Sequence, residues 1–322
     1  MPDGSGWPGA MHEIAGQKVV LGDCLKVMAV MEAATVDVVV TSPPYFGLRD
    51  YGVDGQQGLE ATPAEYVAGM VAVFREVRRV LADDGTLWVN VGDSYAGKAN
   101  AGRTFTKNRG RNLQPVGYPE QRNMLEHAPY KGMLGIPWRL ALALQDDGWT
   151  LRNDIIWAKP NAMPESVRDR LANRHEHLFM LTKGPAYWFD LDPIREQHSD
   201  VSIARSRRNR FAEDRSQAGV GSPNTMNPQQ AVHEGGRNPG DVWSIPTQPF
   251  PGAHFAVMPP ALAERCIQAG CKPGGTVLDP YSGSGTTGYA AARHGRRYVG
   301  IDLNADYLKL SLETRLAQGA LV

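Results

Sequence analysis

The chain has 322 residues, which is enough for about two domains or for one large α/β domain with insertions. Its 34 Lys and Arg residues equal its 34 Asp and Glu residues, so the net charge provides no general attraction to nucleic acid or to a membrane. Three scattered cysteines without metal-ligand spacing indicate reduced thiols, and no apolar run reaches the length of a membrane span. We therefore expect a soluble, cytoplasmic protein that binds no metal.

The chain begins with residues that favour a flexible tail, 1–15, before the first predicted strand at Lys18–Leu21. Asp23 follows that strand, where an acid is either a helix N-cap or a ligand for an adenine amino group, and both interpretations stay open. Val36–Val40 is a continuous β-branched run, which is typical of a strand buried on both faces of a parallel sheet.

A loop with two consecutive prolines, Thr41–Gly52, follows this buried strand. Proline fixes φ and removes an amide donor, so the loop presents carbonyl oxygens and side chains in a preset geometry. Together with the ring of Tyr45, such a loop suits a planar group that carries an amine. The alternative is an ordinary turn with Tyr45 in the core, which the position at the end of a strand disfavours.

Strands and helices then alternate, which predicts a mainly parallel sheet covered by helices. The histidines His175 and His177 superficially resemble a metal pair, but no third ligand is evident. The predicted elements are a helix at Pro63–Leu81, a strand at Gly85–Val91, a helix at Ile136–Leu144, a strand at Leu151–Trp157 and a β-hairpin at His175–Phe189 that turns at Lys183-Gly184.

Two long segments of low hydrophobicity, 92–132 and 195–248, interrupt this pattern. A loop of such length inside a compact domain is usually functional or disordered. Segment 92–132 carries surplus Lys and Arg, and segment 195–248 has four arginines between Arg205 and Arg210. Such cations suit contacts to nucleic-acid phosphates, although for the second segment a solvated run of charge is the alternative.

Near the C-terminus, a helix at Pro259–Gly270 leads to a strand at Thr276–Asp279, a turn rich in glycine, a helix to His294 and a strand ending at Asp302. The glycines at 283, 285 and 288 satisfy the dinucleotide pattern, so NAD or FAD has to be weighed. A carboxylate directly before the glycines would repel a pyrophosphate, but it could hold the ammonium of a methionine moiety. Asp302 at the tip of the next strand suits a ribose diol. We therefore favour S-adenosylmethionine.

The order of the two motifs, Thr41–Tyr45 ahead of Leu278–Thr287, resembles the beta-class (permuted) amino-methyltransferases of DNA. In that family the half that binds the cofactor follows the catalytic half. The resemblance also covers Gly22-Asp23, Arg152–Asn161, Met163–Arg170, Arg174–His177 and His254–Ala256.

The resemblance implies the α/β, doubly wound and mainly parallel Rossmann-like sheet of class I S-adenosylmethionine-dependent methyltransferases, with an antiparallel edge hairpin and inserted DNA-recognition segments. The strand at Val277 should lie beside Val36–Val40, so that both loops share one crevice. Residues 16–194 would form the catalytic half with its basic insertion 92–132, 195–248 the target-recognition segment, and 249–322 the cofactor half.

The implied reaction transfers a methyl group from S-adenosylmethionine to an exocyclic amine of a base flipped out of duplex DNA. The Ser42 hydroxyl and the Pro43 carbonyl would accept the N–H bonds of this amine, and Tyr45 would stack on the base. Within the family, a serine before Pro-Pro-Tyr favours the N4 of cytosine, and the N6 of adenine is the alternative.

The resemblance assigns three sets of site residues. The catalytic set is Ser42, Pro43, Pro44 and Tyr45. The cofactor set is Asp23, Thr41, Phe255, Asp279, Tyr281, Ser282, Gly283, Ser284, Gly285, Thr286, Thr287, Asp302 and Leu303. The DNA-binding set is Arg49, Lys107, Arg109, Arg111, Lys159, Arg205, Arg207, Arg208 and Arg210.

Double-stranded DNA is the expected partner, and a homodimer and a cognate restriction endonuclease stay open. Three rival functions are also to be weighed: an S-adenosylmethionine-dependent methyltransferase of RNA or protein, a nicotinamide oxidoreductase, and a DNA-binding protein without catalysis. The intact pair of motifs disfavours the last of these.

Overall fold

The computed structural model describes residues 7–97, 127–201, 203–204, 233–248, 250 and 258–319. The chain divides into two compact units, one formed by Met1–Phe189 with Asp241–Val322 and the other by Asp190–Gly240. Within the described ranges, no helix combines the length and the apolar character needed to cross a membrane.

The described strands of the larger unit form one nine-stranded sheet. These strands are β1 (Met11–Ile14), β2 (Gln17–Leu21), β3 (Val36–Thr41), β4 (Leu81–Val91), β5 (Thr150–Ala158), β6 (His175–Thr182), β7 (Val242–Ser244), β8 (Thr276–Asp279) and β9 (Arg297–Asp302). Their spatial order is β1-β2-β9-β8-β3-β4-β6-β5-β7. Five of the pairings are parallel and three are antiparallel, which confirms the predicted mainly parallel sheet.

The helices of this unit follow the sequence signals closely. The longer ones are α1 (Cys24–Ala29), α2 (Pro63–Val80), α3 (Ile136–Asp146), α4 (Pro260–Gly270), α5 (Thr286–Arg293) and α6 (Ala305–Ser311), and a π-helical segment at Leu312–Leu316 and a short helix at Ala317–Gly319 follow α6. Helix α2 begins with a capping box, in which Thr62 accepts from the Glu65 amide and Glu65 accepts from the Thr62 amide. Its buried face covers the sheet with Tyr66, Met70 and Phe74.

Two predicted features are wrong. Residues 11–14, inside the predicted tail, form β1, which pairs antiparallel with β2 and makes the edge hairpin. The hairpin predicted to turn at Lys183-Gly184 is absent from the described residues, because no strand follows that turn. Pro185 lacks an amide donor, and the Trp188 amide donates to the Asp84 carbonyl at 2.8 Å. Strand β6 instead pairs antiparallel with β4 and β5.

The strand that feeds the glycine turn lies directly beside the strand that feeds the Pro-Pro loop. In the parallel pairing of β3 with β8, Val38 is opposite Val277 and Val39 is opposite Leu278. This neighbourhood was predicted from the motif order and is confirmed. Because the carboxyl ends of parallel strands lie at one edge, the two loops open onto the same side of the sheet.

Helix α3 provides a matched pair of leucines that tests the core. Leu140 is fully buried, whereas Leu142 on the same helix is 58% exposed. We expect Leu140→Ala to lower the free energy of unfolding by about 2–5 kcal/mol, since it leaves a cavity. Leu142→Ala should change it by less than about 0.5 kcal/mol, because the alanine forms helix well and no cavity opens. Urea unfolding of both variants measures the difference, and equal losses would contradict the position of α3.

The smaller unit, Asp190–Gly240, contains a short 3₁₀ helix at Asp192–Ile194. Its two ends meet in an antiparallel bridge between Glu196 and Arg237, whose side chains also form an ion pair at 2.6 Å. The unit thus starts and ends at neighbouring positions.

Candidate active site

One crevice at the carboxyl ends of the parallel strands is lined by both predicted motif loops and encloses a cavity of about 220 Å³. Of the predicted catalytic and cofactor residues, those that line it are Asp23, Ser42, Pro43, Pro44, Tyr45, Asp279, Tyr281, Ser282, Gly283, Ser284, Thr286, Thr287, Asp302 and Leu303. Phe255, predicted to lie near the cofactor, falls outside the described residues.

Asp279 joins the two motif loops. Its carboxylate accepts hydrogen bonds from the Thr41 hydroxyl at 2.7 Å, the Thr287 hydroxyl at 2.7 Å and the Tyr281 amide at 3.0 Å. The side chain is almost completely buried, and this burial raises the pKa of Asp279 to about 6 despite the three donors. Its predicted role as a ligand for the methionine ammonium stays a prediction, but its role in tying β8 to β3 is visible.

Asp302 organises the glycine turn. One carboxylate oxygen accepts from the Gly283 amide at 2.7 Å, and the other accepts from the Asn304 amide at 2.8 Å. Gly283 (φ 51°) and Gly285 (φ 77°) both have left-handed backbones that side-chain-bearing residues rarely adopt. Burial raises the pKa of Asp302 to about 6. The turn therefore leads into α5 in a conformation held by a carboxylate.

The third glycine of the pattern has a packing role. A Cβ atom on Gly288 would lie 2.6 Å from both the Tyr298 ring and Leu316. The Tyr298 hydroxyl in turn donates to the Ser282 hydroxyl at 2.9 Å, and Arg315 donates to the Ser284 hydroxyl at 3.0 Å. Helix α5, which contains Gly288, can therefore approach β9 closely because position 288 has no side chain.

The crevice has the donors and acceptors that S-adenosylmethionine requires. The Thr286 hydroxyl is buried and has no hydrogen-bond partner among the described residues. Asp302 offers a carboxylate at the tip of β9, where a ribose diol would donate to it. Asp23 caps α1 by accepting from the Lys26 amide at 3.0 Å, which confirms its predicted N-cap role, and its adenine contact stays a prediction. Burial raises the pKa of the neighbouring Cys24 to about 11, so this residue is a thiol at neutral pH.

The Pro-Pro loop is held from below by α2. The Tyr66 hydroxyl donates to the Pro44 carbonyl at 2.9 Å, so that oxygen already accepts one hydrogen bond from within the protein. Pro43 lines the crevice, and within the described part of the chain no group donates to its carbonyl. Gly58 supports the loop from the other side, where a Cβ would lie 3.1 Å from the Tyr45 carbonyl oxygen. The loop is therefore fixed with its Pro43 side toward the cavity.

A chain of hydrogen bonds runs from the Ser42 hydroxyl of this loop through Tyr45 to Glu176. The Ser42 hydroxyl donates to the Tyr45 hydroxyl at 3.4 Å, and Tyr45 donates to Glu176 at 2.7 Å, with the Asn90 side-chain oxygen at 3.1 Å. Glu176 also forms an ion pair with Lys159. Burial, followed by the charge of Glu176, raises the pKa of Tyr45 well above its ordinary value, so its hydroxyl stays protonated.

The predicted DNA-binding residues have different surroundings. Arg49 lines the crevice, and the Lys159 side chain is only 13% exposed in its ion pair with Glu176. Their DNA contacts stay predictions. The other seven lie outside the described residues: Lys107, Arg109, Arg111, Arg205, Arg207, Arg208 and Arg210.

Sequence reasoning missed three residues that hold the catalytic loop: Tyr66, Asn90 and Glu176. Asn90 is at the end of β4 and Glu176 at the start of antiparallel β6, so the topology brings both to the edge where Tyr45 lies. The signal for Glu176 was its place in the matched stretch Arg174–His177, where only the flanking histidines were weighed as ligands.

The pKa of Asp279 predicts how stability depends on pH. Because its folded pKa of about 6 exceeds the ordinary value of 3.8, ionisation costs free energy in the folded protein. The contribution is fully present below pH 3.8 and is lost as pH rises through about 6, by on the order of 3 kcal/mol. Asp279→Asn lacks this titration. Urea unfolding from pH 4.5 to 7.5 should therefore show the wild-type advantage over the variant shrinking as pH rises, and an advantage that grows would contradict the burial of this carboxylate.

The comparisons with known proteins agree with this geometry. The family model for DNA methylases matches residues 36–313. The Type II methyltransferase M.SmaI of Serratia marcescens is 43% identical over 300 residues, which cover 92% of this chain and 89% of that protein. The Type II methyltransferase M.Cfr9I of Citrobacter freundii is 42% identical over 300 residues, with 93% and 88% coverage.

Two solved structures share the fold. The PvuII DNA methyltransferase, described as cytosine-N4-specific, superposes with a TM-score of 0.61 at 16% identity and covers 97% of this chain and 95% of its own. The Thermus thermophilus protein TTHA0409, crystallised with S-adenosyl-L-methionine, gives 0.55 at 23% identity, with 94% and 93% coverage. S-adenosylmethionine is the cofactor that this family uses. The chain therefore belongs to the DNA methylase family of N4-cytosine and N6-adenine methyltransferases.

Proposed function

We propose that this DNA methyltransferase modifies the exocyclic N4 of cytosine within a specific duplex sequence, after flipping the target nucleotide into the crevice. The observation that carries this proposal is the position of Ser42 and Tyr45 in the same crevice as the glycine turn. A base inside a duplex cannot reach a recessed crevice of this kind, so extrusion has to precede the chemistry.

The catalytic loop provides the groups that the target amine needs. The amine of cytosine is a poor nucleophile because its lone pair is delocalised into the ring. The Ser42 hydroxyl oxygen and the Pro43 carbonyl would accept its two N–H bonds and favour the tetrahedral form of the nitrogen. The Tyr45 ring, held from behind, would stack on the flipped base.

The opposite wall would hold the cofactor. Asp302 would accept from the ribose hydroxyls, Asp23 would accept from the adenine amine, and the turn at Ser282–Gly285 would enclose the methionine moiety. S-adenosylmethionine supplies an electrophilic methyl group on a sulfonium sulfur. The parallel pairing of β3 with β8 is what brings the two walls together.

The relatives support a role of this methyltransferase in restriction-modification. Both M.SmaI and M.Cfr9I are named Type II methyltransferases, and this chain covers nearly nine-tenths of each. We assign the same role here, acting on cytoplasmic DNA alongside a restriction endonuclease of the same specificity. The segments 92–132 and 195–248 would hold the DNA through local cations on its phosphates, since the net charge of the chain is zero, and base contacts from the same segments would read the sequence.

Nucleoside analysis tests this function. The purified protein is incubated with S-adenosylmethionine and unmethylated bacterial genomic DNA, and the DNA is digested and analysed by mass spectrometry. We expect N4-methyldeoxycytidine, at a site that sequencing of modified bases then identifies. N6-methyldeoxyadenosine would overturn the choice of base, and no methylated nucleoside at any salt concentration would overturn the activity on DNA. Transfer to RNA in preference to duplex DNA would favour the rival substrate class.

A further inference from the structure

The Tyr45 hydroxyl faces hydrogen-bond acceptors on its inner side. The Glu176 carboxylate lies at 2.7 Å and the Asn90 side-chain oxygen at 3.1 Å. The amide of Asn90 cannot turn its nitrogen toward Tyr45, because that nitrogen donates to the His177 carbonyl at 3.2 Å. The hydrogen of the Tyr45 hydroxyl therefore points into the protein.

This orientation determines whether the Ser42 hydroxyl acts as a donor or as an acceptor toward the crevice. With its own hydrogen directed inward, the Tyr45 oxygen accepts the hydrogen of Ser42 across 3.4 Å. The Ser42 oxygen then offers only lone pairs to the crevice that it lines. A group with N–H bonds, such as the amine of a nucleobase, is bound by such an oxygen, whereas a keto oxygen at the same position would be repelled.

Glu176 is the charged end of this chain of hydrogen bonds. Its side chain is 14% exposed, that of Lys159 is 13% exposed, and the two form an ion pair. Lys159 contacts one carboxylate oxygen and Tyr45 contacts the other. Gly92 completes the enclosure, because a Cβ there would lie 2.8 Å from the Tyr45 ring and 3.6 Å from the Glu176 side chain. The Glu176 carboxylate is thus paired with Lys159 through one oxygen, and its other oxygen accepts from the Tyr45 hydroxyl.

We propose that Glu176 is a positioning residue for methyl transfer, acting through the Tyr45 hydroxyl to keep the Ser42 hydroxyl oriented as a hydrogen-bond acceptor for the target amine. This inference rests on the proposed function of the crevice. The carboxylate fixes the direction of the Tyr45 hydrogen, so the Ser42 hydroxyl stays an acceptor toward the crevice instead of rotating to donate into it.

A double-mutant cycle tests the route through Tyr45. In Glu176→Gln, Lys159 keeps the carboxamide oxygen, so the amide nitrogen faces Tyr45 and donates to it. Tyr45→Phe keeps the ring but removes the hydroxyl. We expect each change to lower the single-turnover rate of methyl transfer to genomic DNA about 30-fold, in line with the loss of one charge-assisted hydrogen bond. The double variant should be no slower than either single variant, because both break the same chain.

Three controls make each outcome decisive. The affinities of every variant for S-adenosylmethionine and for DNA are measured at the same time and should stay within about threefold of wild type, because the chain acts on the reacting amine. Asp154→Asn removes another carboxylate, which bonds His177 at 2.9 Å without touching Tyr45, and should stay within about twofold in rate. Because Tyr45→Phe tests the chain without touching Glu176, a folding defect of Glu176→Gln leaves the inference testable.

The results separate this inference from the proposed function. If the wild type methylates no DNA, the proposed function fails. If the wild type is active, the inference alone is overturned by a full rate in Glu176→Gln or Tyr45→Phe, or by losses that multiply to about 1,000-fold in the double variant.

Discussion

Replacing Tyr45 by alanine is expected to lower the rate of DNA methylation about 100-fold, because both the stacking surface and the hydroxyl chain are lost. Tyr45 lines the crevice, and its hydroxyl is held by Glu176 at 2.7 Å. The affinity for S-adenosylmethionine should hardly change, because the residues proposed to bind the cofactor lie mainly at the ends of β8 and β9 and in the glycine turn. Single-turnover methylation and calorimetric cofactor binding measure the two effects.

Tyr187→Ala is the matched control for that variant. Tyr187 accepts a hydrogen bond from Arg152 at 3.0 Å and follows the end of β6 that is opposite to Glu176. The Tyr187→Ala variant should methylate DNA at the wild-type rate. A Tyr45→Ala protein that is folded and fully active would remove the stacking role.

Replacing Asp302 by alanine is expected to weaken S-adenosylmethionine binding about 100-fold, since a buried carboxylate that accepts hydrogen bonds is worth about 1.5–3 kcal/mol per bond. The change removes the proposed acceptor for the ribose and also releases the Gly283 amide, which Asp302 binds at 2.7 Å. The maximal rate at saturating cofactor should fall much less than the affinity. Isothermal titration calorimetry with S-adenosylmethionine gives the dissociation constant directly.

Asp306→Ala provides the control in this case, because Asp306 is an exposed carboxylate four residues away in the first turn of α6. It should bind the cofactor as the wild type does. Unchanged binding by Asp302→Ala, or equal weakening in both variants, would contradict the assignment of the glycine turn as the cofactor site.

Much of this fold is predictable because its strands are locally distinctive. The strand predicted at Val36–Val40 follows from a β-branched run that is typical of a strand covered on both faces, and the structure extends it by one residue to Thr41. The glycine turn is recognisable because glycines between an apolar run and a helix let backbone amides approach a ligand closely, and the structure adds that Gly283 and Gly285 have left-handed backbones. By contrast, β1 is a short edge strand, and at Met11–Ile14 its sequence does not differ from that of a tail.

The contacts inside the site were harder to predict, since they join residues that are remote in sequence. Asp279 was interpreted as a cofactor ligand, but its partner Thr41 lies 238 positions away, so the tie between the two strands was not visible. Glu176 approaches Tyr45 only because β6 runs antiparallel to β4. The sequence reveals which residues carry the chemistry, and the topology shows which side chains hold them.

Photocrosslinking at the methylated position tests most directly whether the extruded base enters this crevice. A duplex carrying 5-iodocytosine at the mapped target is irradiated in complex with the protein and S-adenosylhomocysteine, and the labelled peptide is identified by mass spectrometry. If the extruded base enters the crevice, we expect a covalent adduct on the peptide that contains Ser42–Tyr45. An adduct confined to a surface away from the crevice, with the same preparation still methylating unmodified DNA, would contradict it.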